Sequence, residues 1–278
     1  MLTLAQALQN GQDRGLDRLD AQMLLLHVLG RSAHDRGWLL AHDMETLETP
    51  AQLAFDACVR RRLNGEPLAY ISGHKEFFGL DLQVDSRVLV PRPDTESLVE
   101  WALKELADTP AASVLDLGTG SGAIALALKA NRPDLSVSAL DFSHEALAVA
   151  CTNATRLNLT IDFQQGSWLA GVSGRYRLIV SNPPYIAQHD WHLNDLSHEP
   201  LQALVAGRDG LDDLRCIVAQ TPAHLEDGGW LLLEHGYDQA AAVRGLLQQA
   251  GFQHIASRRD LAGIERCSGG RMPLSTPL

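Results

Sequence analysis

Apolar positions in the first part of the chain recur at three- and four-residue steps: Leu4 and Leu8, then Leu19, Met23 and Leu26, then Leu53 and Ala57. That spacing predicts amphipathic helices over residues 1–64. Asp17 or Asp20 can cap the second helix, and Gly30 can end it. Gly65-Glu66-Pro67 breaks the pattern. The period then changes to two: Leu80, Leu82 and Val84 alternate with polar residues, so Phe77–Asp85 reads as a β-hairpin. Val88-Leu89-Val90 and Pro91-Arg92-Pro93-Asp94-Thr95-Glu96 follow, where Asp94 or Thr95 can cap a helix bearing Leu98, Val99, Trp101 and Ala102.

From about residue 112, short apolar runs alternate with helical stretches. Strands are expected at 113–117, 137–141, 161–163, 178–180, 230–234 and 252–258, and helices near 121–131, 143–157, 211–226 and 238–250. Strand–helix alternation predicts an α/β fold, a Rossmann-like parallel sheet with helices on both faces. The chain thus divides into a helical N-terminal domain (1–64), a linker with a β-hairpin (65–93) and an α/β domain (94–278).

Composition narrows the function classes. Of 278 residues 45% are hydrophobic and 21% charged, enough for a sizeable core. No run of 18 apolar residues appears, and the first residues carry no basic, apolar leader pattern. Cys58, Cys151, Cys216 and Cys267 are widely spaced, which predicts reduced thiols in a cytoplasmic protein rather than a disulfide or zinc framework. The net charge of −11 opposes nonspecific nucleic-acid binding, and Arg60-Arg61-Arg62 reads as a solvated helix face. Neither a membrane nor a nucleic acid is an expected direct partner.

The candidate chemistry lies at strand ends. Asp116-Leu117-Gly118-Thr119-Gly120-Ser121-Gly122 joins the first strand of the α/β domain to a helix, where open sheets bind ligands. Glycines there let the backbone approach a ligand closely. Gly118-x-Gly120-x-x-Ala123 also satisfies a loose dinucleotide pattern. Asp116 favours S-adenosylmethionine, because its carboxylate can orient a cationic amino group. Asp141 ends the next strand and can take both hydroxyls of a ribose, which suits either cofactor. Trp168 follows the third strand and can flank an adenine.

Ile179-Val180-Ser181-Asn182-Pro183-Pro184-Tyr185 ends the fourth strand in a rigid corner. The side-chain carbonyl of Asn182 and the backbone carbonyl of Pro183 offer two acceptors for the hydrogens of one NH₂ group, and Tyr185 an aromatic face. A planar amide or exocyclic amine is a poor nucleophile. A site can hold it, aim its nitrogen at an electrophile and favour pyramidal geometry.

The stretches GEPLAYISGHKEFFGLDLQVDSRVLVPRPDTE (65–96), VLDLGTGSGAIALAL (114–128) and IVSNPPYI (179–186) together resemble the release-factor glutamine methyltransferases, the HemK/PrmC family. The resemblance spans nearly the whole chain. It implies a class I methyltransferase domain using S-adenosyl-L-methionine to methylate the glutamine of the Gly-Gly-Gln loop of class I peptide chain release factors. It implies a cofactor loop of Gly118, Thr119, Gly120, Ser121 and Gly122, with Asp141 at the ribose, Trp168 near the adenine and Asn182 near the methyl donor. Asn182, Pro183, Pro184 and Tyr185 would hold the glutamine amide, with Asn182, Pro183 and Tyr185 as the catalytic set. Residues 1–64 would help to dock the release factor. Arg92 and Glu96 match the linker motif, either touching substrate or pinning the linker.

Two other readings stay open. An adenine or cytosine amino-methyltransferase fits Asn182–Tyr185 equally but not the charge. A binding module without chemistry fits the glycine loop alone. His189-Asp190-Trp191-His192 reads as a loop rather than a metal site, and His235 as a structural residue at a strand end.

Overall fold

Residues 2–260 and 262–274 are described by the computed structural model. They fall into two units, one ending at His74 and the other starting at Lys75. The first unit holds α1 (Leu4–Asp13), α2 (Arg18–Val28), α3 (Arg36–Ala41), α4 (Thr49–Leu63) and α5 (Leu68–Ser72). Thr3 and Gln6 form a reciprocal capping box on α1, satisfying two N–H groups that the first helical turn leaves open. Asp17 caps α2 by accepting the Leu19 N–H at 2.7 Å, whereas Asp20 pairs with Arg62 at 2.6 Å. Arg61 is held by Glu66, so two of the three consecutive arginines have carboxylate partners.

The buried faces match the expected ones in part. Leu4 and Leu26 are in the core, but Leu19 and Leu53 are exposed, and Ala21, Leu24 and Leu25 of α2 and Phe55, Cys58 and Val59 of α4 complete it. Leu24-Leu25-Leu26 is apolar in succession, so periodicity alone did not select the inward stripe. The helical unit also extends past residue 64. After the Gly-Glu-Pro break the chain makes one more short helix, α5, closed by Gly73 in the left-handed region at φ +77°.

The second unit begins with the hairpin β1 (His74–Phe77) and β2 (Leu80–Gln83), followed by α6 (Glu96–Glu105). Then come β3 (Ser113–Leu117), α7 (Ala123–Asn131), β4 (Ser136–Asp141), α8 (His144–Leu157), β5 (Asp162–Gln165), β6 (Tyr176–Ser181), α9 (Asp212–Gln220), β7 (Leu225–Glu234), α10 (Ala240–Gln249), β8 (Gln253–Arg259) and β9 (Glu265–Arg271). Among the described residues seven strands form one sheet in the order β5-β4-β3-β6-β7-β9-β8. Val114, Leu178 and Val180 face a core shared with α6 and α7. Leu115, Leu117 and Ile179 face the opposite core with α9 and α10. Burial on both faces explains the near-continuous apolar runs.

The sheet is mixed, which corrects the expectation of a parallel one. β9 runs antiparallel to both β7 and β8. A short turn follows β8, and a turn of that length can only reverse the chain. The last strand also passes unusually close to its neighbours. A Cβ on Gly269 would lie 2.5 Å from the Leu232 side chain and 3.1 Å from the Trp101 ring.

Register carries the site. Leu117 pairs with Leu140 and Ser181, and Ser181 with Leu233. The next residues, Gly118, Asp141, Asn182 and Glu234, therefore stand side by side at one edge of the sheet. Two buried polar side chains brace this edge from below. Asp116 is fully buried, accepts the Thr119 hydroxyl at 2.7 Å and the Ala125 N–H at 3.3 Å, and leaves Oδ1 without a partner. Its side chain serves the loop from beneath, which corrects its expected place beside a ligand's amino group. Asn153 of α8 accepts the Gln83 N–H at 2.7 Å and donates to the carbonyls of Gln83 and Ser121, each at 3.0 Å. One amide thus ties β2 to the glycine loop.

Replacing Asn153 with alanine leaves three backbone groups, one buried and two half-buried, without their partner. Asn153→Ala should lower unfolding free energy by about 2–4 kcal/mol, read as a fall in Tm of roughly 5–15 °C by calorimetry.

Burial raises the Asp116 carboxyl from 3.8 to about 7. The folded state then binds the proton more tightly than the unfolded chain. Its contribution is fully present below about pH 4 and is lost as pH rises through about 7. Asp116→Asn should remove that loss. Urea unfolding across this range should show the stability difference between wild type and variant moving in the variant's favour by on the order of 3 kcal/mol. A pH-independent difference would contradict the assignment.

Candidate active site

The glycine loop takes its shape from three left-handed residues: Gly118 (φ +68°), Gly120 (φ +56°) and Gly122 (φ +84°). Side chains with a Cβ rarely adopt such angles. The loop is clamped by N–H groups: those of Gly118 and Thr119 donate to the Leu140 carbonyl at 2.8 and 2.9 Å. Gly120 N–H donates to Asp141 Oδ2 and Ser143 N–H to Asp141 Oδ1, both at 2.8 Å. The Phe142 N–H is a third donor to this carboxylate, which keeps acceptor capacity for a further donor. Burial raises its pKa, opposed by these N–H bonds.

Beyond the sheet edge lies a cavity of about 370 Å³. Of the residues expected at the site, Gly118, Thr119, Gly120, Ser121, Asp141, Trp168, Asn182, Pro184 and Arg92 line it. Gly122, Pro183, Tyr185 and Glu96 stand outside that lining. Gly122 serves packing: a Cβ there would come within 3.0 Å of Leu126 and 3.3 Å of Ala150. The Trp168 indole lies against Gly118, where a Cβ would approach the ring to 3.4 Å, and its Nε1–H donates to Asp213 Oδ1 at 3.0 Å. Phe142 also lines the cavity while 70% exposed. Its position directly after Asp141 was the only sequence signal for it.

Asn182 Nδ2 donates to Thr95 Oγ1 at 3.1 Å. The Thr95 hydroxyl is bonded in turn to the Glu234 carboxyl. The Tyr185 hydroxyl donates to Glu234 Oε1 at 3.3 Å, and its ring packs against the core of the α9/α10 face. Tyr185 thus braces the corner from behind, where an aromatic face on the cavity was expected. Burial, with the Glu234 charge adding to it, pushes the Tyr185 phenol above its usual range. Burial also raises Glu234 to about 7.

The linker residues have distinct tasks. Arg92 pairs with the buried Glu199, whose other oxygen accepts the Val90 N–H at 3.0 Å. This joins two segments of the cavity wall, one carrying Pro91 and Arg92 and the other Pro200 and Gln202. Glu96 accepts the Phe78 N–H at 3.1 Å and so pins the turn of the hairpin. Thr95 was read only as a candidate helix cap, and Glu199 and Glu234 were not singled out, because their partners are far apart along the chain. A single acid closing the apolar run of β7 was the one visible trace.

The histidines take structural places. His192 Nδ1 lies 2.6 Å from Asp190 Oδ1, and its ring stacks on Trp191. His235 is buried, with Nδ1 2.9 Å from the Gly236 carbonyl and Nε2 2.8 Å from the Ser268 hydroxyl. A carbonyl only accepts, so Nδ1 carries the proton and Nε2 accepts from Ser268. Burial lowers its pKa. Among the described residues there is no group of three or more metal-ligating side chains, and no helix is long and apolar enough to cross a membrane.

Comparison with known proteins now adds to the geometry. Residues 2–73 match the PrmC N-terminal domain family and residues 95–206 the Methyltransferase small domain family. A release factor glutamine methyltransferase of Bordetella pertussis is 51% identical over 93% of this chain and 96% of its own length. One from Pseudomonas aeruginosa is 49% identical over 98% of this chain and 99% of its own. A solved methyltransferase from Pyrococcus furiosus, 20% identical, superimposes with a TM-score of 0.57 over 77% of this chain and 98% of that one, and shares the fold. The cavity at the edge of a class I methyltransferase sheet, the asparagine corner beside it and full-length identity near one half agree: the chain belongs to the release factor glutamine methyltransferase family.

Proposed function

We infer that the protein transfers a methyl group from S-adenosyl-L-methionine to the side-chain amide nitrogen of the glutamine in the Gly-Gly-Gln loop of class I peptide chain release factors. The observation that carries this is the Asn182 amide lining the same cavity as Gly118–Ser121 and Asp141. The donor set fits the cofactor. Asp141 keeps acceptor capacity toward the ribose hydroxyls, and Trp168 and Phe142 offer aromatic surface to the adenine. Glycines at 118 and 120 let the chain run close to the amino-acid part. When bound, S-adenosylmethionine supplies a sulfonium methyl as the electrophile.

The chain's own residues bind and aim the acceptor. In this reading Asn182 Oδ1 takes one hydrogen of the glutamine NH₂, and the neighbouring Pro183 carbonyl takes the other. The nitrogen is thereby turned toward the methyl donor and its pyramidal form is favoured; the N–CH₃ bond would form as the donor's S–CH₃ bond breaks to a thioether, and the nitrogen would then give up one of its two protons to water. The carboxylates on the cavity are engaged already, Asp141 with the glycine loop and Asp213 with Trp168. Positioning and electrostatics, without a general base, account for the acceleration. The net charge of −11 supports a protein acceptor over a nucleic acid. The unit ending at His74 is proposed to dock the release factor.

The reading is tested by incubating the protein with S-adenosylmethionine and a purified class I release factor, then mapping methyl groups by peptide mass spectrometry. One methyl on the Gly-Gly-Gln glutamine is expected. Asn182→Ala should lower turnover by about 100-fold or more, with cofactor affinity by calorimetry changed less than about threefold. Methylation of DNA or RNA instead would overturn it.

A further inference from the structure

Two buried polar residues beside the corner, Thr95 on the cavity wall and Glu234 outside the lining, contribute nothing to the mechanism as described. Thr95 is 4% exposed and ends the turn that leads into α6. Glu234 is 1% exposed and ends β7, one residue beyond the Leu233–Ser181 pair. Both converge on Asn182 and Tyr185.

The direction of their hydrogen bonds follows from atom types. The Tyr185 hydroxyl donates to Glu234 Oε1, and the Thr95 hydroxyl is a partner of the same carboxyl. A hydroxyl has one proton, and a carboxylate only accepts, so Thr95 gives it to Glu234. Toward Asn182, Thr95 can then only accept. It must face the NH₂ end of the amide, as the 3.1 Å contact from Nδ2 has it.

An asparagine amide can rotate by half a turn with almost no change of shape, so packing alone does not choose between its ends. The choice matters here. One end presents an oxygen to an incoming NH₂ group; the other presents a second NH₂, donor against donor. We propose that Thr95 and Glu234 are positioning residues that set the Asn182 amide with its oxygen as the acceptor for the substrate nitrogen. This rests on the reading of Asn182 given above. Glu234 also holds Tyr185, so one buried carboxyl orients both polar ends of the corner.

The test uses full-length protein with Thr95→Val, which keeps the shape and removes the hydroxyl, and Thr95→Ser, which restores it. Turnover and KM for the release factor are measured at saturating S-adenosylmethionine. The Asn182 side-chain amide signals are followed by ¹H–¹⁵N NMR in cofactor-free protein, assigned by their loss in Asn182→Ala. Thr95→Val is expected to lower kcat by about 30-fold with KM within about threefold, and to move the Asn182 signals and speed their hydrogen exchange. Thr95→Ser should stay within about threefold of wild type on every readout. Wild-type kcat in Thr95→Val, or equal losses in both variants, overturns the proposal. Should Thr95→Val not fold, Thr95→Ala carries the same expectations. A release factor left unmethylated by wild type overturns the functional reading instead. The Asn182 signals then decide alone, and unchanged signals in Thr95→Val overturn the proposal.

Discussion

The parallel register of β3, β4, β6 and β7 is the constraint from which the site follows. Backbone ladders leave no freedom over which residues stand next to one another, and a slip of one residue would turn every side chain to the other face. Because both faces are buried, that slip is strongly opposed. Leu117, Leu140, Ser181 and Leu233 stand in adjacent register. A glycine, an acid, an amide and a second acid then follow at one edge, although the sequence separates the first and last by more than a hundred residues. The chemistry is assembled by the sheet, and the loops only finish it.

That assembly requires polar groups where the sheet would otherwise be apolar. Asp116, Asn153 and Glu234 are almost wholly inaccessible to water, and burying such groups is costly unless they are bonded. Asn153 meets the condition fully, with three backbone partners. Asp116 and Glu234 meet it by halves, each with one oxygen unpartnered. Their raised pKa values express the same deficit, since a proton removes a charge that burial disfavours. Both carboxyls hold a hydroxyl that in turn fixes a segment of the cavity wall. The destabilisation lies directly beneath the site, where holding a loop or an amide in a single orientation has functional value.

Legibility in the sequence followed the physics of each element. β3, β4 and β6 were readable because buried parallel strands are runs of Val, Leu and Ile bounded by turns. The helices of the first unit were readable as helices, but not their inward faces, since α2 carries more leucines than one stripe needs. β9 showed no strand pattern and was legible only in outline, through the resemblance of residues 263–271 to the family's closing strands. Cys-Ser-Gly-Gly has little intrinsic strand preference, and its glycines are there to let Leu232, Trp101 and Phe252 approach. At the site, Gly118–Ser121, Asp141, Trp168, Asn182 and Pro184 lie on the cavity; the loop residues, Asn182 and Pro184 came from contiguous motifs, Asp141 and Trp168 from their places at strand ends. Gly122 belongs to helix packing, and Pro183 and Tyr185 to the body of the corner. The roles of Thr95, Glu199 and Glu234 could not be found, because an isolated buried acid acquires meaning only from a partner that the fold brings to it.

The corner also shows how a rigid turn and a buried hydrogen-bond chain divide one task. Pro183 and Pro184 fix the backbone, which determines where the Asn182 side chain begins. They cannot determine which end of its amide points outward, because rotation about that side chain's last bond leaves the backbone untouched. Only a directional contact resolves the two ends, and a hydroxyl that must donate elsewhere is such a contact. Glu234 supplies the place where that proton goes. An acid inaccessible to substrate can therefore govern the polarity of the amide that faces the cavity, and it does so through a single threonine oxygen.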